Sequence, residues 1–312
     1  MKAAQIKATG GIDVIQLVDT ETPQPDAGHV LVEVYASSIN PIETKVREGV
    51  FPVDHLPITL GGDVAGIVAA VGPGVSTLAV GDKVYGQASV LNGGSGAYAE
   101  FASASVNAVA KMPGNTPFTE AAALPLVGVS ALQALITHIN LQEGQKLFIH
   151  GGAGGIGSIA IQVARHMGAY VATTATGDGI DFVQGLGADE VIDYKTQDFQ
   201  EILHDFDAVF DLVGGDDFFK ALHVLRRGGI GVSMAGHVDD ATMQNLGVTA
   251  ISQFTQVTTE MLTQLARLVE EGVVTPQVDT VYPFAQIQEA FAARESGHVK
   301  GKVVLVVKAA DA

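Results

Sequence analysis

A glycine-rich turn carries the most specific chemistry in this sequence. It follows the apolar run Lys146–His150 and places Gly152, Gly154 and Gly157 in the spacing G-x-G-x-x-G. In a strand–turn–helix unit the first glycine allows the tight turn, the second lets a pyrophosphate approach the backbone, and the third lets the helix pack against the strand. Free N–H groups and the helix dipole then bind the anion. The spacing therefore predicts a dinucleotide-binding site.

The same spacing has a purely structural alternative, because a chain with 37 glycines also produces it by chance. The flanking elements favour the binding interpretation. Apolar residues recur from Ile156 to Met167 at helical spacing, and Gly168 stands where a left-handed C-terminal residue belongs. A helix with such an apolar face packs on a sheet, as a dinucleotide-binding unit requires.

The residues after the second strand of this unit bear on the choice of nucleotide. An acid about 20 residues after the first glycine would hold the 2′-hydroxyl of NADH, whereas its charge would repel the 2′-phosphate of NADPH. The chain instead has Thr174 and Thr176, with no acid before Asp178. These hydroxyls favour NADPH over NADH, although threonine is also an ordinary strand residue. The next basic residue is Lys195, so the preference lacks an adjacent cation.

Composition excludes several other chemistries. The 312 residues contain no cysteine, which excludes disulfides, thiolate nucleophiles, iron–sulfur clusters and cysteine-ligated zinc. The nine histidines show no metal-ligand spacing such as H-E-x-x-H, and we predict no metal site. The 17 basic and 34 acidic residues give a net charge of −17, which disfavours nucleic acid and membrane surfaces as partners.

Neither a signal peptide nor a membrane span is indicated. The N-terminal sequence MKAAQIKATGG lacks the apolar stretch of a signal peptide, so we predict a cytoplasmic protein. The most apolar window, 121–139, is interrupted by Pro125, Gly128 and Gln133. A buried helix is therefore favoured there over a transmembrane helix.

The chain shows two patterns of secondary structure. About the first third has short apolar runs between proline and glycine turn signals, which predicts an irregular, mostly antiparallel β domain. From about residue 121 strands alternate with helices, as in a doubly wound parallel α/β sheet. The predicted strands are 30–35, 63–71, 83–85, 97–102 and 106–110 in the first part, and 146–150, 169–174, 190–193, 208–213 and 229–234 in the second.

The last apolar run, Val303–Val307, is not followed by a helix and fits the first domain better than the doubly wound one. We therefore predict a discontinuous catalytic domain, 1–122 plus 275–312, and a Rossmann nucleotide-binding domain at 123–274. Such an interleaved chain brings its two ends into one domain.

Several further motifs occur in the order found in one enzyme superfamily. They are Ser38-Ile-Asn40-Pro41, Gly61-Gly62-Asp63-Val64-Ala65-Gly66, Val71-Gly72-Pro73-Gly74, Gly96-Ala97-Tyr98, Leu186-Gly187-Ala188-Asp189 and Gly297-His298-Val299-Lys300-Gly301-Lys302. Nearly end to end, the chain resembles the zinc-free quinone oxidoreductase type of the medium-chain dehydrogenase/reductase superfamily. The resemblance implies a GroES-like catalytic domain together with the Rossmann domain. It also implies zinc-independent hydride transfer from NADPH to a quinone or an α,β-unsaturated carbonyl compound.

The resemblance also assigns residues to the site. Asn40 matches a polar group next to the nicotinamide in the catalytic cleft, with a plain turn before Pro41 as its structural alternative. The remaining matched positions are Ser130 at the nicotinamide end, Gly154, Gly155 and Ile156 at the pyrophosphate, Thr176 at the ribose phosphate, Tyr194 at the adenosine, and Val213, Ala235, Gly236 and Phe254 around the nicotinamide. Tyr194 is alternatively a strand-end aromatic residue, and Phe254 alternatively a core residue.

Three functions stay open at this point. The leading one is an NADPH-dependent quinone reductase, the second an enone or enoyl reductase of the same superfamily, and the third a non-catalytic NADP(H) sensor. The segment Lys45-Val46-Arg47 lacks the tyrosine often found there, so we expect water or a cofactor hydroxyl to supply the proton. The resemblance further implies a homodimer formed through the nucleotide-binding domain. The apolar strand 229–234 could continue the sheet across a two-fold axis, and its alternative is a central strand buried in the protomer.

Overall fold

The structure, a computed structural model, describes residues 1–309. The strands within those residues are β1 (Lys2–Ile6), β2 (Gln16–Asp19), β3 (His29–Ser38), β4 (Ile58–Thr59), β5 (Asp63–Val71), β6 (Lys83–Gln87), β7 (Phe101–Ser105), β8 (Val109–Lys111), β9 (Lys146–His150), β10 (Tyr170–Ala175), β11 (Glu190–Asp193), β12 (Phe206–Asp211), β13 (Leu225–Ser233), β14 (Thr249–Ser252), β15 (Val278–Pro283) and β16 (Lys302–Val306).

The helices are α1 (Pro41–Arg47), α2 (Phe118–Ala122), α3 (Pro125–Leu132), α4 (Gly155–His166), α5 (Gly179–Gly185), α6 (Phe199–Ile202), α7 (Asp216–Leu222), α8 (Asp240–Leu246), α9 (Thr259–Glu270) and α10 (Ile287–Glu295). A π-helical segment, Gln133–His138, continues α3. The apolar window 121–139 is therefore helical for most of its length and breaks before Pro125, whose ring cannot continue the preceding helix.

The chain packs as two compact units. Unit 1 comprises residues 1–126, 257–271 and 276–309, and unit 2 comprises residues 127–256 and 272–275. Helix α9 belongs to unit 1, where the hydroxyl of its Thr259 lies 2.6 Å from the Val106 carbonyl oxygen and 2.9 Å from that of Val109. The predicted domain boundaries divide the chain by sequence pattern rather than by packing, and they stay a prediction.

Unit 2 is built on a six-stranded parallel sheet. Its strand order is β11-β10-β9-β12-β13-β14, so the direction of the chain across the sheet reverses between β9 and β12. Doubly wound sheets bind their ligands at the carboxyl ends of the strands on either side of such a reversal. The sheet thus identifies the edge at which a cofactor site must be sought.

Helix α4 follows β9 directly and shows why the sequence folds as it does there. Its apolar residues at helical spacing, Ile159, Ala160, Val163 and Ala164, are all buried. The helix ends two residues before Gly168, whose φ of +79° lies in the left-handed region that favours glycine. The helix predicted over 156–167 is confirmed.

Strand β13 lies inside the sheet of unit 2. It pairs with β12 on one side and with β14 on the other. The expectation that 229–234 continues the sheet across a two-fold axis is therefore wrong, because hydrogen bonds within the protomer already occupy both edges of that strand. The edge strand on this side of the sheet is β14.

Unit 1 contains a seven-stranded and a three-stranded sheet. The larger sheet runs β15-β16-β3-β5-β6-β8, with β7 also paired to β3, and the smaller runs β2-β1-β4. Strand β16 pairs antiparallel with β3, so the final apolar run completes a sheet begun by N-terminal residues. Together with the parallel sheet of unit 2, this mostly antiparallel architecture confirms the predicted fold class.

Two predicted strands of unit 1 begin three or four residues later in the structure. In place of the predicted strand 97–102, the structure has β7, Phe101–Ser105. The residues before β7 are bound to a different segment, because the Ala97 N–H donates to the Gly61 carbonyl at 3.0 Å and the Tyr98 N–H to the Leu60 carbonyl at 2.9 Å. For 106–110, the first three residues form a 3-10 turn capped by the Ser105 hydroxyl. Both differences arise from hydrogen bonds that compete with the strand ladder.

Apolar clusters hold each unit together. In unit 1 one cluster includes Ile39, Tyr98 and Phe291, and in unit 2 a cluster joins Phe148 and Phe206 across neighbouring strands. Each such fully buried large side chain contributes roughly 1.5–3 kcal/mol relative to an exposed one. These clusters hold the strand ends that carry the polar residues described next.

Candidate functional site

The glycine-rich turn of unit 2 is closely packed at two of its glycines and open at the third. A Cβ atom at Gly152 would lie 2.2 Å from the Thr173 hydroxyl oxygen, and one at Gly157 would lie 2.6 Å from the Gly151 carbonyl oxygen. A Cβ atom at Gly154 would meet the Gly151 carbonyl oxygen at 3.9 Å, an ordinary contact distance. Packing therefore demands the outer two glycines, whereas Gly154 leaves room for a ligand to approach the backbone.

Helix α4 begins at Gly155 and Ile156, directly beyond that open face. The first N–H groups of a helix have no acceptor within it, and they carry the positive end of the helix dipole. Gly154, Gly155 and Ile156 thus combine free donors with space, which fits the pyrophosphate of a dinucleotide.

Thr174 anchors the turn from the neighbouring strand. Its hydroxyl oxygen accepts the Gly151 N–H at 2.9 Å, and its carbonyl accepts the Gly152 N–H at 3.1 Å. The side chain is only 2% exposed. Thr174 therefore fixes the backbone of the turn, and a contact between its hydroxyl and a ribose phosphate stays a prediction.

The carboxyl ends of β10 and β11 bring Thr176 next to an acid that sequence reasoning did not place there. The Thr176 hydroxyl donates to the Asp193 carboxylate, and this bond lowers the pKa of Asp193, as does the N–H of Lys195 at 3.1 Å. Strand pairing sets Asp193 opposite Ala175. Tyr194 follows and is 55% exposed, as an aromatic surface for an adenine would be.

A single buried carboxylate, Asp211, organises the loops after β9 and β12. One of its oxygens accepts the N–H of Val213 at 3.2 Å and lies 3.0 Å from the His150 ring nitrogen Nδ1. The other accepts the N–H of Gly214 at 3.0 Å and the Ser233 hydroxyl at 2.5 Å. The loop that carries Val213 is thereby tied to the strand that precedes the glycine-rich turn.

Ser233 extends this network to the loop after β13. Its hydroxyl oxygen accepts the N–H groups of Ala235 at 3.1 Å and Gly236 at 2.7 Å while it donates to Asp211. The resemblance assigns three positions to the nicotinamide pocket: Val213, Ala235 and Gly236. The backbone of all three is therefore held by Asp211, directly at Val213 and through Ser233 at Ala235 and Gly236. Asp211 and Ser233 were missed because no local motif marks them; their strand-end positions were the available signal.

The structure also brings Ser130 to the segment that follows β14. The Ser130 and Thr255 hydroxyl oxygens lie 2.7 Å apart, and the amide nitrogen of Gln253 donates to the Ser130 carbonyl at 3.0 Å. Phe254, which lies between Gln253 and Thr255 in the sequence, is 62% exposed. The alternative interpretation of Phe254 as a core residue is therefore wrong. Ser130 and Phe254 thus lie in one neighbourhood of unit 2, although 124 positions (254 − 130) separate them in the sequence.

Asn40 belongs to unit 1, where it begins α1 inside a buried polar network. Its amide nitrogen donates to Asp63 at 2.9 Å, and its amide oxygen accepts a hydrogen bond from the Lys302 ammonium. The Ser38 hydroxyl donates to the same Asp63 oxygen at 2.9 Å. Asn40, Asp63 and Ser38 are fully buried, so both polar atoms of the Asn40 amide are fixed in orientation.

Glu43 places a second acid in this network. Its carboxylate accepts the N–H of Asn40 at 2.6 Å, closing the first turn of α1. Burial, and after it the charge of Asp63, raise the pKa of Glu43 from its ordinary 4.5 to about 7, against the opposing charge of Lys302. Burial lowers the pKa of Lys302, against the attraction of both acids. Two carboxyl groups thus share one buried cation.

The raised pKa of Glu43 predicts how stability depends on pH. An unfolded glutamate loses its proton near 4.5 and folded Glu43 near 7. Between these values the folded state binds more protons, so the free energy of unfolding falls as the pH rises from 4.5 to 7, by about 3 kcal/mol in total. Glu43→Gln keeps the acceptor for Asn40 N–H and removes the titration. We expect it to flatten this slope and to be more stable than the parent at pH 8.

Urea unfolding at several pH values measures the slope. Glu289→Gln, on the exposed side of α10, is the matched control and should keep the parent's pH dependence. An unchanged slope in Glu43→Gln would show that Glu43 does not hold the proton in the folded protein.

Two further features of residues 1–309 concern metal binding and membrane insertion. No group of three or more His, Asp or Glu side chains in that range could hold a metal ion. None of the helices described there is long and apolar enough to cross a membrane.

Comparisons with known proteins agree with this arrangement. Residues 26–114 match the alcohol dehydrogenase GroES-like domain, and residues 186–305 match the zinc-binding dehydrogenase family. The chloroplastic NADPH-dependent alkenal/one oxidoreductase of Arabidopsis thaliana is 34% identical over 98% of this chain and 79% of its own length.

Solved structures show the same relationship. The quinone oxidoreductase of Coxiella burnetii has a TM-score of 0.92 and 34% identity, with 99% of each chain covered. The Escherichia coli quinone oxidoreductase complexed with NADPH has a TM-score of 0.90 and 29% identity, covering 98% of this chain and 100% of that one. The chain therefore belongs to the medium-chain dehydrogenase/reductase superfamily, as an oxidoreductase of its quinone oxidoreductase-like family.

Proposed function

We propose that this enzyme transfers a hydride from NADPH to a quinone without zinc. The observation that carries the proposal is the open face of Gly154 at the start of α4, on the carboxyl edge of the sheet of unit 2. When bound, NADPH supplies a hydride, which together with one proton from water reduces a quinone to a hydroquinone and leaves NADP⁺.

The residues of this chain would hold the cofactor at three places. The pyrophosphate would lie on the turn from Gly152 to Gly157, against the first N–H groups of α4, which have no acceptor within the helix. Exposed Tyr194 offers a face for the adenine, and half-exposed Val213 with exposed Phe254 offers apolar surface for the flat nicotinamide ring. The remaining proposed contacts are Thr174 and Thr176 near the ribose phosphate, and Ser130, Ala235 and Gly236 near the nicotinamide; the role of Asn40 stays a prediction.

The preference for NADPH over NADH rests on a balance of charges near Thr176. Asp193 is ionised at neutral pH because its pKa is lowered, and a carboxylate repels a 2′-phosphate. Lys195, two positions on, supplies the nearby positive charge that the sequence lacked directly after β10. We propose NADPH as the main cofactor, with NADH accepted more weakly.

Zinc independence is proposed from the donor set. Zinc sites in proteins use cysteine, histidine and acidic ligands, and catalytic sites need three of them. This chain has no cysteine, and the acids that meet in unit 1, Asp63 and Glu43, already face Lys302 and the N–H and amide of Asn40. Hydride transfer to a quinone needs no metal to polarise an alcohol.

A second function is favoured by one of the relatives. The Arabidopsis relative is named for alkenals and alkenones, which accept a hydride at the β-carbon and a proton at the α-carbon. The pocket loops proposed here would bind either acceptor, because both are flat and electron-poor. An enone reductase is therefore the alternative to be separated by experiment.

The test is cofactor binding followed by turnover. We expect NADPH to bind more tightly than NADH in calorimetric titrations. We also expect its absorbance to decay with one- and two-ring quinones faster than with alkenals or alkenones, unchanged by a metal chelator. Faster turnover of enones would make the alternative correct.

Binding without turnover of any acceptor would favour the third function, an NADP(H) sensor. Tighter binding of NADH would overturn the argument from Thr176 and Lys195. We further propose a homodimer formed through unit 2, for which the edge strand β14 offers one of the two sheet edges. The cytoplasmic location stays a prediction.

A further inference from the structure

One buried polar atom in unit 2 lacks a hydrogen-bond partner. The amide oxygen Oε1 of Gln253 is buried, and none of the residues 1–309 offers it a donor. The whole side chain is 6% exposed. A buried acceptor without a donor costs free energy in the folded state, so such atoms point to a water molecule or a ligand that completes them.

The orientation of this amide follows from its other end. Its nitrogen Nε2 lies 3.0 Å from the Ser130 carbonyl oxygen and 3.4 Å from the Thr255 hydroxyl oxygen. A carbonyl oxygen only accepts hydrogen bonds, so a flipped amide would set two acceptors against each other. The oxygen Oε1 is therefore the end of the amide that is left without a partner, and its lone pairs require a donor.

Gln253 is held firmly at the edge where the cofactor is proposed to bind. Its main-chain N–H donates to the Ser233 carbonyl at 2.8 Å, and the hydroxyl of the preceding residue, Ser252, donates to the Gly236 carbonyl at 2.7 Å. Gln253 is thus tied to the end of β13 and to the loop that follows it, which Asp211 also holds through the Ser233 hydroxyl. A ligand that supplies the missing donor would lie beside that loop.

We propose that Gln253 Oε1 accepts a hydrogen bond from the carboxamide NH₂ of the nicotinamide. This proposal rests on the proposed cofactor and names a side chain that recognises its reacting ring. The pyrophosphate offers no donor at neutral pH and the ring itself has no N–H, which leaves the carboxamide NH₂ and the ribose hydroxyls as donors at the nicotinamide end. The carboxamide is the neutral, planar donor of the nicotinamide end, and an uncharged amide oxygen is its natural acceptor.

The experiment compares two oxidised cofactors that differ in this group. NADP⁺ carries the carboxamide, whereas its 3-acetylpyridine analogue carries a methyl ketone without an N–H donor. Calorimetric titration of the full chain should show that NADP⁺ binds about tenfold more tightly than the analogue, since the analogue leaves Oε1 unpaired. In Gln253→Met the two ligands should bind with nearly equal affinity.

Gln162→Met is the matched control. The nitrogen of Gln162 donates to the Ser158 and Thr275 carbonyls at 2.9 and 3.1 Å, and its oxygen accepts the Thr275 N–H at 2.8 Å. Both polar atoms of the Gln162 amide thus have hydrogen-bond partners within the protein. Its replacement should leave the ratio of the affinities for NADP⁺ and the analogue as in the parent.

Three outcomes overturn the inference. They are an undiminished ratio in Gln253→Met, equal affinities in the unaltered chain, and loss of the ratio in the Gln162→Met control. The second outcome needs no variant and therefore decides the matter even if Gln253→Met fails to fold. Failure of NADP⁺ to bind the unaltered chain at all would instead overturn the proposed function.

Discussion

Replacing Lys302 with methionine should lower the free energy of unfolding by about 3–5 kcal/mol, because it leaves a buried acid without its cation. The ammonium is 5% exposed, donates to the Ile39 carbonyl at 2.9 Å and to the Asn40 amide oxygen, and lies 3.8 Å from a carboxylate oxygen of Asp63. Methionine fills a similar volume but satisfies none of these acceptors.

The loss should also depend on pH in a defined direction. Burial raises the pKa of Glu43 to about 7, so above that pH a second negative charge accompanies Asp63. We therefore expect the Lys302→Met variant to lose more stability at pH 8 than at pH 5. Urea unfolding of parent and variant at the two pH values measures both effects.

Lys308→Met provides the control for a surface ion pair. The Lys308 ammonium lies 2.6 Å from Glu33, but the lysine side chain is 47% exposed. Exposed pairs of this kind contribute about 0–1 kcal/mol. Similar losses in the two variants would contradict the view that Lys302 is the cation on which the buried network depends.

The same network shows what sequence reasoning reached and what it did not. Asn40, Asp63 and Lys302 were each recognised within separate motifs, because each motif is local in the chain. Their meeting depends on the antiparallel pairing of β3 with both β5 and β16, over separations that no local pattern encodes. The resemblance indicated that these motifs belong to one protein, whereas the hydrogen bonds between them required the fold.

Local signals performed best where one short segment determines its own structure. The predicted strands 63–71, 146–150 and 190–193 agree with β5, β9 and β11 at both ends. Each has an apolar centre and follows a glycine turn signal within four residues. Strand β1, by contrast, mixes polar and apolar residues near the N-terminus, and its partner β4 has only two residues. Pairing with distant segments, and not its own pattern, makes it a strand.

The acids near the proposed cofactor show the same limit. Asp193 is the last residue of a correctly predicted strand, yet its bond to Thr176 arises only because β10 and β11 are neighbours. Asp211 likewise ends β12, and its oxygens bind groups from three different strand ends. In a parallel sheet all carboxyl ends meet at one edge, so the last residue of each strand merits attention even without a motif.

Asp211→Asn should therefore reduce kcat/KM for NADPH and its preferred acceptor by about 100-fold, the effect expected when supporting residues shift a reacting group by about 1 Å. One carboxylate oxygen accepts the Val213 N–H and the other accepts the Gly214 N–H and the Ser233 hydroxyl. In asparagine one of these two positions becomes an NH₂ group. It would face an N–H donor, so at least one of the loops must move.

Asp207→Asn is the control, since Asp207 lies on the same strand at the opposite end of the sheet. It accepts the Lys146 N–H at 2.8 Å and a hydrogen bond from the Arg226 guanidinium at 2.7 Å, at the amino end of β12 and away from the loops that follow its carboxyl end. Its variant should lose some stability but keep kcat/KM within about twofold. A primary isotope effect measured with 4-deuterated NADPH should rise in Asp211→Asn alone, because misplacement slows the hydride step itself. An equal fall of kcat/KM in both variants, with unchanged isotope effects, would mean that Asp211 supports the fold and not the position of the nicotinamide.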